Sequence, residues 1–242
     1  MMTDSERTSR EYDAMAVDYA ADNAENAYNA YYERPATIAL LGDVKGLRVL
    51  DAGCGDGRLA SWLTEAGAVV TAVDVSPAMA GLARGRLGDR ATVLVADLAQ
   101  PLSFARTGEF DLVVASLVMH YLLDWEAVLG EFCRVLGPQG RVVFSTHHPA
   151  MDWQLSSRDN YFATKQLTET WSKGTGQFEV TFWRRPLTAM CQAIAVSGFL
   201  IERLVEPEPL ASLADRDPVA YDEISTKPRF VFFRLCASPN TD

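Results

Sequence analysis

Positions 51 to 57 read Asp51-Ala52-Gly53-Cys54-Gly55-Asp56-Gly57. This spacing lets the backbone turn sharply and lets a ligand approach with no Cβ in its way. A dinucleotide site needs the spacing GxGxxG, with a diphosphate over a helix N-terminus. Here the spacing is GxGxG, flanked by carboxylates at Asp51 and Asp56. Those charges repel a diphosphate and attract a cation, so the turn suits a positively charged ligand without phosphate. Asp74 closes the next strand, where an acid can accept hydrogen bonds from ribose hydroxyls, and Asp97 follows the third, within reach of an adenine edge. A helix cap or a turn would explain either acid alone. Three acidic strand ends behind one glycine loop favour a site.

Acid–base chemistry has few candidates. The histidines are His120, His147 and His148; they follow the fourth and fifth strands, so they can converge on one pocket, and they titrate in a useful range. His120 and His147, with Tyr12, are the candidate catalytic groups. Adjacent histidines point apart in extended chain and no carboxylate spacing supports a cation, so no metal site is expected. Tyr28, Tyr31 and Tyr32 share a helical face, with Tyr12 and Tyr19 on the helix before them. Such a stripe usually packs a core, but ahead of this sheet it can also lid the site and turn ring faces toward a cation. Trp153, Tyr161, Phe162, Trp171, Phe178, Phe182 and Trp183 crowd a short later segment. They suggest an apolar or aromatic second ligand, though a packed hairpin would look the same.

The elements that must position these residues alternate short β-branched runs with helical stretches, the pattern of βαβ units and a parallel sheet. Strands are expected at 47–50, 69–73, 91–95, 110–115 and 140–145, and helices at 58–66, 76–87 and 124–136. Residues 1–43 read as helical. Residues 150–183 hold no good helix, and 162–171 pairs with 177–183 in a hairpin. A helix at 186–197, a strand at 199–205, a proline-rich loop at 206–228 and a strand at 229–235 complete the chain. The expected fold is an α/β, Rossmann-like three-layer sandwich forming one domain over 1–242. Its parts are a helical lid (1–43), a core (44–149), an inserted β cap (150–185) and a C-terminal helix and hairpin (186–242).

Bulk properties exclude several functions. The 242 residues carry a net charge of −10, and Arg184-Arg185 is the tightest basic cluster, so nucleic acid is not an expected partner. The four cysteines form no CxxC pair, which fits a reducing cytoplasm. The polar N-terminus and the absence of a long apolar run predict neither a leader nor a membrane span.

Val49-Leu50-Asp51-Ala52-Gly53-Cys54-Gly55-Asp56-Gly57, Val73-Asp74-Val75-Ser76 and Val95-Ala96-Asp97-Leu98 resemble successive motifs of the class I S-adenosylmethionine-dependent methyltransferases. Phe110-Asp111-Leu112-Val113-Val114-Ala115 and Leu136-Gly137-Pro138-Gln139-Gly140-Arg141 continue the series. The resemblance covers residues 47–146 closely and reaches a bacterial, small-molecule (type 11/25-like) subgroup. It implies a seven-stranded, mostly parallel sheet whose last strand is antiparallel, S-adenosylmethionine as methyl donor, and in-line transfer to a small molecule. It also implies that Gly53 and Gly55 lie against the donor's amino-acid part, that Asp51 belongs to the same cofactor site, and that the backbone around Ser116 helps hold the amino group. Asp74 would take the ribose, Asp97 and Leu98 the adenine edge, and Val75 and Met79 the adenine face. Tyr12 or Tyr28 would close over the donor.

Similar enzymes include some that methylate indole C3 of tryptophan-containing cyclic dipeptides; an oxygen or nitrogen acceptor is the alternative. A non-catalytic S-adenosylmethionine-binding protein is a reading from another class. A nicotinamide-dependent oxidoreductase is disfavoured by the glycine spacing. A homodimer interface built from the aromatic cap is compatible with catalysis.

Overall fold

The computed structural model describes residues 2–238; Met1 and residues 239–242, inside the expected domain limits, lie outside them. Helix α1 (Asp4–Asn23) starts at a capping box, with the Thr3 side chain accepting from Glu6 N–H while the Glu6 carboxylate accepts from Thr3 N–H. A single π-helical turn (Asn29–Glu33) leads into α2 (Arg34–Leu41), which has proline in its first turn. Five parallel strands follow with their helices: β1 (Arg48–Ala52), α3 (Arg58–Glu65), β2 (Val69–Asp74), α4 (Pro77–Leu87), β3 (Ala91–Val95), β4 (Phe110–Ala115), α5 (Trp125–Val135) and β5 (Leu136–His147). Ser76 and Asp124 cap α4 and α5 through Met79 N–H and Ala127 N–H. Then come α6 (Pro149–Leu155), β6 (Lys165–Lys173), β7 (Gly176–Arg184), α7 (Leu187–Val196), β8 (Phe199–Val205), α8 (Leu213–Arg216), α9 (Pro218–Thr226) and β9 (Phe230–Ala237).

The seven-stranded sheet has the order β3-β2-β1-β4-β5-β9-β8. Its last strand, β9, runs antiparallel between β5 and β8. Chain order reverses between β1 and β4, and ligands of open α/β sheets bind at the carboxyl ends beside such a switch. Val49, Leu50, Ala52, Val113, Val114 and Ala115 are fully buried, because helices cover both faces.

Two expectations are corrected. Residues 150–183 do contain a helix, α6, opened by Pro149. The expected loop at 206–228 holds α8 and α9; the latter is capped by Asp217 through Ala220 N–H, with Pro218 in its first turn. Proline read there as a loop marker is a helix start.

The β6–β7 hairpin packs on α1 rather than on the main sheet. Met15, Tyr121, Val180 and Phe182 form their own buried cluster, joined by Tyr12, Tyr19, Trp171 and Phe178. Trp183 Nε1 donates to Asp4 at 3.0 Å, and Lys173 pairs with Asp22. Among the described residues no helix is long and apolar enough to cross a membrane.

Candidate functional site

Two cavities meet at the carboxyl edge. The inner one, about 110 Å³, runs from the glycine turn past Asp74 to Asp97 and Ser116. The outer one, about 560 Å³, lies between the hairpin, α6, α9 and the start of β9. Tyr12, Tyr19, Asn29, Leu117 and Tyr121 line both. Helix α1 roofs them: Ser5 Oγ donates to Asp97 at 2.9 Å, and Asp13 accepts from Ser76 Oγ and from Ala78 N–H.

The glycine turn is held from behind, since the Gly53 and Cys54 N–H groups donate to Val73 O at 2.8 and 2.9 Å. Gly53 has φ +80°, and a Cβ there would stand 2.6 Å from Val118 Cγ2. Gly53→Ala should therefore destabilise the fold by about 2 kcal/mol, the scale of strained backbone plus overpacking, read as a lower urea midpoint at unchanged slope. Around Gly55 a Cβ would meet nothing within 4 Å. That open space faces the cavity.

Carboxylates dominate the inner cavity. Asp51 is buried, and neither of its oxygens has a hydrogen-bond partner. Burial, with the charges of Asp74 and Glu33 adding to it, pushes its carboxyl up to about 7. Asp74 Oδ2 accepts from Gly55 N–H at 2.8 Å and Oδ1 from Ser76 N–H at 2.9 Å. Desolvation still lifts Asp74 to about 6 against the pull of these bonds, and lone pairs remain for a ligand.

Asp56 does not contribute free charge, contrary to the expectation for the turn. It is buried and paired with Arg58 at 3.0 Å and Arg86 at 2.7 Å. Asp51 and Asp74, not Asp56, are what a cation would meet.

These raised acids predict a pH dependence. A cationic ligand favours the ionised carboxylates, so its affinity should rise as pH climbs from about 5 to 8, by at most about tenfold per pH unit for each proton released. Calorimetry near pH 6.5 in buffers of different ionisation enthalpy should show proton release on binding, reduced in Asp51→Asn. The sign for stability without ligand is opposite. Each acid holds more protons folded than unfolded between its ordinary value and its raised one, so its contribution falls as pH rises through that window.

Glu33 escaped the sequence reading. It ends the π-helical turn, is 2% exposed and lines the inner cavity. Thr37, Ser116 and Ser145 hydroxyls all donate to its Oε1, at 2.7, 2.8 and 2.6 Å. Among the described residues nothing donates to Oε2. π-Turns inserted between helices often mark functional positions, but Asn29-Ala30-Tyr31-Tyr32-Glu33 carries no pattern separating one from an α-turn. Leu117, at φ +49°, is a second unforeseen feature; this left-handed residue just past β4 donates its N–H to Ser145 Oγ at 2.9 Å.

Of the expected donor-site residues, Asp51, Gly53, Gly55, Asp74, Val75, Asp97, Leu98 and Ser116 line the inner cavity. Met79 does not; it is fully buried behind the Ser76 cap. Tyr28 lines the outer cavity, its ring under the Arg229 guanidinium at 5.2 Å. Tyr12 lines both cavities and shares a 2.8 Å hydrogen bond with Tyr121 Oη. Desolvation holds the Tyr12 phenol far above its ordinary value, which makes it a poor base at neutral pH.

The histidines separate as extended chain requires. His147 turns into the outer cavity, while His148 Nε2 meets Glu206 at 2.7 Å. His120 and His147 stack with ring centroids 3.8 Å apart, edge-on to Phe182. Burial, then repulsion from His147 and Arg185, holds His120 well below its ordinary value, so it stays neutral. His147 Nδ1 lies 3.3 Å from Asp152 Oδ1, within ion-pair reach but off line for a hydrogen bond. Of the expected cap aromatics, only Trp171 lines this cavity. Phe182 packs the cluster under α1, and Phe162 is exposed. Among the described residues no group of three or more His, Cys, Asp or Glu could hold a metal.

Comparison with known proteins gives the same picture. Residues 50–144 match the family model described as a methyltransferase domain. The chain is similar to the malonyl-[acyl-carrier protein] O-methyltransferase of Pseudescherichia vulneris, 34% identical over 155 residues that cover 59% of this chain and 60% of that protein. It is similar to the ubiquinone biosynthesis O-methyltransferase of Xanthomonas oryzae pv. oryzae, 35% identical over 107 residues, 43% of this chain and 44% of that one. The chain thus spans about half the length of these curated relatives. An S-adenosylmethionine-dependent methyltransferase structure from Mesorhizobium loti superposes with TM-score 0.71 and 27% identity, covering 88% of this chain and 99% of that one.

Proposed function

We propose that this chain is a class I S-adenosylmethionine-dependent methyltransferase and that it passes the donor's methyl group to a small molecule held in the outer cavity. The carrying observation is the inner cavity's charge: Asp51, Asp74 and Glu33 line it, and neither Asp51 oxygen has a hydrogen-bond partner. Buried carboxylates without partners are costly, and a ligand bearing a sulfonium and an ammonium satisfies them. Bound there, S-adenosylmethionine supplies an electrophilic methyl group that needs no further activation.

The residues divide the work by position. Glu33 and Asp51 take the amino-acid end, Asp74 accepts from the ribose hydroxyls, and Asp97, Leu98 and Val75 surround the base. Tyr12, Tyr19 and Tyr121 wall the junction of the two cavities, where their rings exclude water and face developing positive charge. Alignment is then the main contribution to rate. His147, beside Asp152 and stacked on neutral His120, is the group placed to take a proton from a hydroxyl or amine acceptor. Tyr12 keeps its proton within the phenol pair it forms with Tyr121.

The curated relatives named above are O-methyltransferases, which favours an oxygen acceptor over indole C3. Calorimetry with S-adenosylmethionine and S-adenosylhomocysteine, followed by transfer of a labelled methyl group to small molecules of a cell extract, tests the proposal. Binding of both with label in a small product is expected. Binding without transfer would leave the non-catalytic reading, and binding of neither would remove both.

A further inference from the structure

Two of the three Lys and Arg side chains lining the outer cavity are paired with carboxylates. Asp22 meets Lys173, Glu25 meets Arg216 at 2.6 Å, and Asp152 lies by His147. Glu169 accepts from Trp171 Nε1 at 3.2 Å, and Asp217 caps α9. Arg229 is the exception among the cations on the wall. It is half-buried, and among the described residues its guanidinium makes no ion pair or hydrogen bond, only the 5.2 Å approach to the Tyr28 ring. Five carboxylates line the cavity against Lys173, Arg216 and Arg229, so its overall charge is negative, and Arg229 is its one cation without a carboxylate partner.

The surface beside it is aromatic. Tyr28, Trp171 and Phe230 line the same cavity, and Phe230 stacks on His147 with centroids 6.0 Å apart. Arg229 and Phe230 are neighbours, so the guanidinium and the ring wall come from one strand end. A guanidinium fork matches a carboxylate bidentately, and the pairing strengthens where protein walls exclude water. About 560 Å³ lies within the ordinary range for small-molecule sites.

We infer that the outer cavity binds an aromatic carboxylate, its ring against the Tyr28–Phe230 wall and its carboxylate on Arg229. This rests on the proposed function and names the acceptor class for it. Such an acceptor would place its anion on Arg229 and its nucleophilic group near His147, on the far side of the same wall.

Ligand-observed saturation-transfer NMR tests it, with 4-hydroxybenzoate and neutral 4-hydroxybenzyl alcohol as probes in the presence of S-adenosylhomocysteine. The acid should bind wild-type protein at least about tenfold more tightly than the alcohol, the scale of one charge-assisted pair. Arg229→Gln should remove that advantage without moving the alcohol, and Arg229→Lys should keep part of it. Equal binding of acid and alcohol, no binding of the acid, or an unchanged acid in Arg229→Gln would overturn the inference. Calorimetry of S-adenosylhomocysteine on the same samples reads the donor site separately. Protein that binds it but not the acid loses the acceptor class alone; protein that binds neither loses the donor reading as well.

Discussion

Glu33→Gln should weaken S-adenosylmethionine binding by about 10- to 100-fold while leaving 5′-methylthioadenosine unchanged. The range follows from one hydrogen bond to a charged group, about 1.5–3 kcal/mol. Glutamine keeps the shape and a carbonyl oxygen for the three hydroxyls that converge on Oε1, so the turn should survive. What it removes is the negative charge beside Asp51. Methylthioadenosine lacks the amino-acid end and is blind to that change. Equal loss for both nucleosides, measured calorimetrically, would make Glu33 a scaffold for Ser116 and Ser145 and nothing more.

The second large effect is expected at His147. His147→Ala should lower labelled methyl transfer by about 100-fold or more, the usual contribution of a positioned base, with the S-adenosylhomocysteine Kd unmoved. His120→Ala serves as the contrast. Its neutral ring supports His147 by stacking, so its loss should fall on thermal stability and on the pH profile, with a smaller drop in rate. Full rate in His147→Ala would mean that the acceptor arrives already deprotonated, or needs no base.

The ease of reading each part from sequence follows its physics. Strands 91–95, 110–115 and 199–205 are legible to the residue because an apolar or alternating run bounded by turn formers has few other uses. The βαβ rhythm places Asp51, Asp74 and Asp97 at or just beyond the carboxyl ends of β1, β2 and β3, and all three line the inner cavity. Helices α6 and α9 are not legible as helices: both are short and open on proline, which from sequence reads equally well as a loop. Met79 and Tyr28 show a different limit, because a motif gives position along the chain but not which wall a side chain faces. Asp56 shows another, since its partners Arg58 and Arg86 come from two elements. Glu33 depends on a one-residue register shift in a helical segment, and nothing in side-chain type announces it.

Helix α1 touches the Asp97 turn, the start of α4 and the β6–β7 hairpin, and its tyrosines line both cavities. Because Tyr12 and Tyr19 belong to both linings, any shift of α1 reshapes the inner and outer cavities together. Motion of this one helix therefore couples occupancy of the two cavities, without any contact passing through the sheet.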